Sequence, residues 1–234
     1  MSFASGLEVR GVTAPLRLAD FRLAAFDMDS TLISIECVDE IADYAGKKAE
    51  VAAITEAAMR GEIADYKESL RRRVALLAGV AANALQRVYD ERLRFNPGAE
   101  ALVAACRAAG LKTLLVSGGF TFFTDRVGER LGIDFARSNV LEIADGALTG
   151  RMVDQPWGDI CDGAEKRRML IETCARIGCM PQDAIAVGDG ANDLPMMAEA
   201  GLSVAYHAKP KVRAAAHVAI DAGGLDRLLE LVRP

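Results

Sequence analysis

The chain has 234 residues, 51% of them apolar and 26% charged, enough to bury one sizeable core plus a small inserted module. A formal net charge of −5 supplies no basic field for nucleic acid, so a polyanionic partner is not expected. No cationic stretch leads into a long apolar core and no uncharged run spans eighteen residues, so export and membrane insertion are disfavoured; the five cysteines (Cys37, Cys106, Cys161, Cys174, Cys179) contain no Cys-x-x-Cys pair and read as reduced thiols of a cytoplasmic protein.

Residues 1–20 mix Gly, Ala, Pro and charges without periodicity and read as an extension or an edge element. The apolar run Leu23-Ala24-Ala25-Phe26 then predicts a buried strand, and it ends in Asp27-Met28-Asp29-Ser30-Thr31, two carboxylates one residue apart. From there to about Phe95 the pattern is helical. Val38, Ile41, Ala42 and Ala45 recur at helical spacing before Gly46, and Val51, Ile54, Thr55 and Ala58 repeat it before Gly61. A third helix is expected over about 65–78 and a fourth over about 83–93. In the third, Tyr66, Leu70, Arg73 and Leu77 share a face while Arg71 and Arg72 point elsewhere, which makes Arg73 an inward cation in need of a partner. Asn96-Pro97-Gly98 marks the return to the main body.

A helix closed by Gly110 leads to a strand at 112–116 that ends in Ser117-Gly118-Gly119, where a hydroxyl and unhindered amides suit an anion. Asp145-Gly146, between partly alternating segments, predicts a hairpin within 140–150. A helix over about 164–177, closed by Gly178, carries Lys166 near its start. It leads to the strand Ala184-Ile185-Ala186-Val187 and the acidic cluster Gly188-Asp189-Gly190-Ala191-Asn192-Asp193. Helix-then-strand units with apolar, non-alternating strands indicate a doubly wound parallel α/β sheet covered on both faces. Ligands bind such sheets at the carboxyl ends of the strands, and three of those ends carry chemistry.

Those four segments, in that order, resemble the motifs of the haloacid dehalogenase superfamily of phosphohydrolases. Within it, Ser34 to Ala42, Ser69 to Val74 and Val116 to Phe120 are similar to the phosphoserine phosphatase family. The resemblance runs from about Phe21 to the C-terminus. It implies a Rossmannoid core (1–32 and 96–234) with a four-helix cap (33–95) that closes over the site. The activity implied is Mg²⁺-dependent hydrolysis of O-phosphoserine to serine and phosphate, the last step of serine biosynthesis, through an aspartyl phosphate.

By this resemblance Asp27 is the nucleophile and Asp29 the general acid and base; an Asp after a strand also caps or turns the chain, and the companion motifs decide for chemistry. His207 and His217 stand beside no motif, which leaves a carboxyl as proton carrier. Ser30 or Thr31 is read as a helix cap. Mg²⁺ would be held by Asp27, Asp189 and the backbone carbonyl of Asp29, with Asn192 and Asp193 orienting that shell; the lesser alternative for Asn192, compatible with that role, is a helix cap ahead of Leu194-Pro195-Met196-Met197. Ser117, Gly118 and Lys166 would hold the phosphate, although Lys166 with Arg167 and Arg168 also fits a solvated helix face. Arg73 would pair with the substrate carboxylate, a cap glutamate or both, and Glu36 would meet the substrate ammonium, although an acid in a helix first turn is also commonly just exposed; Met59, Tyr66 and Asn192 would line the pocket. The segment 61–66 is one residue longer than usual in the family, and Tyr66 replaces a common phenylalanine. No amino-acid-sensing domain is expected before the first strand. A phosphotransferase to an alcohol such as homoserine uses the same motifs, whereas a phosphorylation receiver needs no helical cap.

Overall fold

The computed structural model describes residues 5–59, 62, 63 and 65–233. Its strands are β1 (Leu7–Val9), β2 (Leu16–Arg17), β3 (Leu23–Phe26), β4 (Lys112–Phe120), β5 (Phe135–Ala144), β6 (Ala147–Val153), β7 (Ala184–Gly188), β8 (Leu202–Tyr206), β9 (Val218–Ile220) and β10 (Val232–Arg233). One eight-stranded sheet runs β1-β9-β8-β7-β3-β4-β5-β6. From β9 through β5 it is parallel, with antiparallel β1 and β6 at its edges. Residues 1–20 thus supply an edge strand, and β2 pairs with β10 in a separate two-stranded sheet.

Every residue of β3, β7 and β8 is buried, as strands covered on both faces require. Successive residues of β3 serve opposite cores. Ala24 and Phe26 join Leu102, Val103, Phe123 and Val127 on one face, while Leu23 and Ala25 join Met169, Leu170, Cys174, Met196 and Met197 on the other.

The helices are α1 (Cys37–Tyr44), α2 (Lys48–Met59), α3 (Tyr66–Ala75), α4 (Asn83–Glu91), α5 (Ala99–Ala108), α6 (Thr121–Leu131), α7 (Gly163–Ile177), α8 (Leu194–Glu199) and α9 (Pro210–Ala215). The short α9, together with α6, β8 and β9, are elements the spacing did not predict, whereas the helix allowed for ahead of Leu194 is the short α8, entered from Asp193 and not capped by Asn192. The predicted hairpin is present but half of a longer device. β5 first pairs in parallel with β4, then turns through Asp145 (φ 50) and Gly146 (φ 76) into antiparallel β6. Two successive positive φ angles are what a two-residue hairpin of this hand needs.

Helices α1 to α4 all lie between β3 and α5. The chain leaves and re-enters the sheet at one neck, where Ile33 bridges Phe95. Asn96 closes it by donating from Nδ2 to the carbonyls of Thr31 (2.8 Å), Ile33 (3.0 Å) and Ser30 (3.3 Å). A second anchorage joins the α3–α4 connection to the β5–β6 hairpin, through Leu148 N–H to Val80 O and Gly79 N–H to Leu148 O, both 2.8 Å. A third is ionic: Lys67 and Arg71 of α3 grip Asp159 at 2.6 and 2.5 Å. Among the described residues no helix is long and apolar enough to cross a membrane, and all five cysteines are free.

Candidate active site

The chain winds outward from β3 in both directions, to β4 on one side and β7 on the other, so the carboxyl ends of these three strands face one crevice. Asp27 is fixed there by its own N–H, which donates to Val187 O of β7 at 3.0 Å. The chain then makes one wide turn over Met28–Leu32, with Ser30 at φ 57. In this turn, which replaces a helix capped by Ser30 or Thr31, Asp29 lines the same cavity as Asp27. The two hydroxyls serve other ends: Ser30 donates to Glu36 at 2.7 Å and Thr31 to Asp189 at 3.3 Å.

Lys166 is fully buried and bridges two carboxylates, Asp27 Oδ1 at 2.5 Å and Asp193 Oδ1 at 2.6 Å. Helix α7 aims it, and Asp162 caps that helix by accepting the Glu165 N–H at 2.9 Å. Arg167 and Arg168 instead pair with Glu199 and Glu165 outside the crevice. The second oxygen of Asp193 accepts from Asp189 N–H (3.1 Å) and Gly190 N–H (2.9 Å), so both its oxygens are engaged. This closeness demands glycine at 188, where a Cβ would come within 2.4 Å of the Asp193 carboxyl.

Asp27, Asp189 and Asp193 place carboxylate oxygens within 4.8 Å of one another. Burial pushes Asp27 upward against the pull of Lys166. Asp189 rises to about 7, through burial and then the charge of Asp193. Burial would lower Lys166, but Asp193 and Asp27 outweigh it and keep the ammonium well above the ordinary lysine range. One buried cation among three acids leaves a surplus of negative charge of the kind a divalent ion with oxygen ligands offsets. Asp29 rises to about 7 through burial and the nearby Glu36, despite the Cys37 N–H that donates to its Oδ2 at 3.0 Å. Its Oδ1 is buried without a partner.

On β4 the pairing with β5 slips. Val116 faces Arg137, but Phe120 faces Asn139, so Ser117-Gly118-Gly119 bulge out of the ladder toward Asp27 and Asp29. Ser117 Oγ accepts the Gly119 N–H at 2.9 Å, which takes that amide out of play and leaves the hydroxyl proton for a ligand. The bulge has a support the spacing did not reveal. Asn139 is 1% exposed, donates to Gly118 O at 2.7 Å and accepts the Cys161 N–H at 2.8 Å, tying the bulge to the segment that leads into α7.

Above the strand ends lies a cavity of about 710 Å³ whose far wall is formed by α1 to α3. Glu36, Tyr66, Arg73, Ser117, Gly118 and Asn192 all line it, with Asp27, Asp29 and Asp189 at its floor. Arg73 forms no ion pair among the described residues, and its Nε is buried without a hydrogen-bond partner. Glu36 faces the cavity while protein surrounds it closely enough for desolvation to raise its pKa, partly offset by Ser30, Arg73 and Lys209. Tyr66 reaches down to Gly118, and its phenol is held protonated chiefly by burial. The Met59 side chain lies outside the described residues.

The family model for haloacid dehalogenase-like hydrolase matches residues 24–198. A phosphoserine phosphatase of Albidiferax ferrireducens is 72% identical over 233 residues, covering 100% of this chain and 98% of the relative, and one of Polaromonas sp. is 74% identical over 228 residues, covering 97% of each. A solved structure described as a phospho-aspartyl intermediate analogue of phosphoserine phosphatase superposes with a TM-score of 0.83 at 35% identity, over 91% of this chain and 99% of that one. A substrate-bound phosphoserine phosphatase complex gives 0.81 at 34% identity, over 91% and 99%. With its motifs gathered at one crevice and its length matched throughout, the chain belongs to the haloacid dehalogenase-like hydrolase family.

Proposed function

We propose that this chain hydrolyses O-phosphoserine to serine and inorganic phosphate, through an aspartyl phosphate on Asp27. The observation that carries this reading is the unpaired, half-buried Arg73 facing Glu36 across a cavity whose floor is Asp27. A phosphomonoester that also bears a carboxylate and an ammonium satisfies all three. Residues 33–95 act as the cap that presents Arg73, Glu36 and Tyr66, and 1–32 with 96–234 act as the catalytic core. The five unpaired thiols suit a reducing cytoplasm.

Asp27 attacks phosphorus as the serine oxygen leaves. Asp29, two residues along and able to hold a proton near neutrality, protonates that oxygen. In the second step Asp29 takes a proton from water, the water oxygen bonds to phosphorus, and the Asp27 carboxylate is released. Lys166 neutralises charge that builds on the transferring group while holding Asp27 in line. Ser117 Oγ–H and the Gly118 amide orient the phosphate.

The donor set fits Mg²⁺: Asp27, Asp189 and the Asp29 carbonyl would hold it through oxygen alone, while both oxygens of Asp193 are occupied and leave it the role of fixing the Asp189 loop. When bound, Mg²⁺ supplies a positive charge that offsets the phosphate and lowers repulsion toward Asp27. Acid quench with labelled phosphoserine should leave the label on Asp27, and D27N should form none. Label on serine or histidine would overturn the mechanism, and a phosphorylated alcohol in place of free phosphate would make the enzyme a phosphotransferase.

A further inference from the structure

The wall of the cavity on the core side, beyond β8, is basic. Lys209 and Lys211 both line it, both are exposed, and neither forms an ion pair among the described residues. The chain is steered there by an unusual backbone. His207, directly after β8, takes φ 44, a left-handed conformation costly for a residue with a Cβ. Two bonds hold it: His207 N–H to Ile220 O at 2.8 Å, and His207 Nε2 with Gly223 O at 2.9 Å. Two residues along, the Lys209 N–H meets Asp189 O at 3.4 Å, which places Lys209 against the acidic end of β7. Its ammonium lies close enough to Glu36 to oppose the rise in that carboxyl's pKa.

This placement answers a problem the cavity creates for its own ligand. Asp27, Asp29, Glu36, Asp39 and Asp189 line the space that a doubly charged phosphate must enter. Lys166 is buried beneath and committed to Asp27 and Asp193, so it offers little attraction at the mouth. Arg73 faces the space from the cap. Lys209 and Lys211 face it from the core and are the cations an arriving phosphate meets in solvent.

We propose that Lys209 and Lys211 capture the anionic substrate electrostatically at the cavity mouth, raising its local concentration before it reaches Ser117 and Asp27. They are positioning residues and touch no reacting bond. The inference rests on the phosphomonoesterase reading but not on serine as the leaving group, so p-nitrophenyl phosphate serves as a second substrate.

The test compares wild type with Lys209→Gln, Lys211→Gln and the double variant, measuring kcat and KM for both substrates from low to high ionic strength. The double variant should raise KM about three- to tenfold at low salt with kcat unaltered, and the difference should shrink as salt screens the charges. Lys209→Arg with Lys211→Arg keeps the charges and should retain both the low KM and the salt dependence. Circular dichroism checks folding. A KM unchanged in the double variant, a rise equal at all salt concentrations, or a fall in kcat would overturn capture. Wild-type enzyme that turns over p-nitrophenyl phosphate but not phosphoserine would sink the substrate assignment alone and leave the lysine comparison intact.

Discussion

The Tyr66 hydroxyl sits so close over Gly118 that a Cβ at residue 118 would come within 1.9 Å of it. Helix α3 and the Ser117-Gly118-Gly119 bulge therefore meet at the proposed phosphate site, and glycine is the residue that allows the contact. Gly118→Ala must displace the ring or the bulge. It should lower kcat/KM at least tenfold, about 1.4 kcal/mol or more, with the fold retained. Removing the hydroxyl leaves the ring carbon at 3.1 Å from that Cβ, a contact small shifts can absorb. The double variant G118A/Y66F should therefore recover part of the loss, and a steady-state double-mutant cycle reads this directly. Strictly additive losses would show that the clash is not what Gly118 avoids.

Arg73 separates cap chemistry from core chemistry. Arg73→Ala removes a charge-assisted contact worth roughly 2–4 kcal/mol, or about 30- to 1000-fold in kcat/KM, for a substrate with a carboxylate. An aryl phosphate lacks that carboxylate and should lose far less. Equal losses on phosphoserine and p-nitrophenyl phosphate would assign the arginine to structure.

Lys166 is the cation shared by Asp27 and Asp193, and among the described residues no other cation pairs with either of them. Lys166→Met should abolish turnover of every phosphomonoester. It should also cost about 3–5 kcal/mol of stability, because two buried carboxylates lose their partner. D27N/K166M should regain part of that stability in urea unfolding and none of the activity. If K166M unfolds at the wild-type urea concentration, the ion-pair triad is not supporting the fold.

Asp134 predicts a pH dependence away from the site. Burial alone would raise its pKa, but hydrogen bonds from Lys112 and from the Thr113 amide and hydroxyl, at 2.7, 2.9 and 2.9 Å, hold it below the ordinary value. A depressed pKa in the folded state means stability that is fully present above the unfolded value, about 3.9, and lost as pH falls through the folded one. Asp134 is exposed, so solvent screening leaves Asp134→Asn a cost of no more than about 1 kcal/mol at pH 7, and the gap from wild type should close in unfolding titrations below about pH 4. A gap that persists unchanged at low pH would remove the charge from the explanation.

Much of the site was legible because its chemistry is local. Asp27, Ser117 and Asp189 follow apolar runs, and a run buried on both faces fixes where a strand ends and which crevice its last residue enters. The helical spacing around Arg73 turned it inward, as the buried Nε bears out. Asn139 had no such signal: its partners are 21 and 22 positions away, and a lone asparagine in a strand obeys no spacing rule. Lys209 was equally silent, since its direction depends on a left-handed His207 that only the packing against Ile220 and Gly223 explains. Ser30 and Thr31, expected as caps, became ligands of Glu36 and Asp189 because a wide turn replaced the helix start.

The neck at Asn96 has a kinetic consequence. β3 and β4 are adjacent in the sheet but far apart along the chain, and joining distant strands costs loop-closure entropy before any contact repays it. Once Ile33 meets Phe95 and Asn96 ties off the carbonyls of the Asp27 turn, the helices between them no longer count toward that distance. The route from β3 to β4 becomes as short as that of an ordinary crossover through α5. Asn96→Ala should therefore slow refolding more than it speeds unfolding, in a stopped-flow chevron taken without substrate.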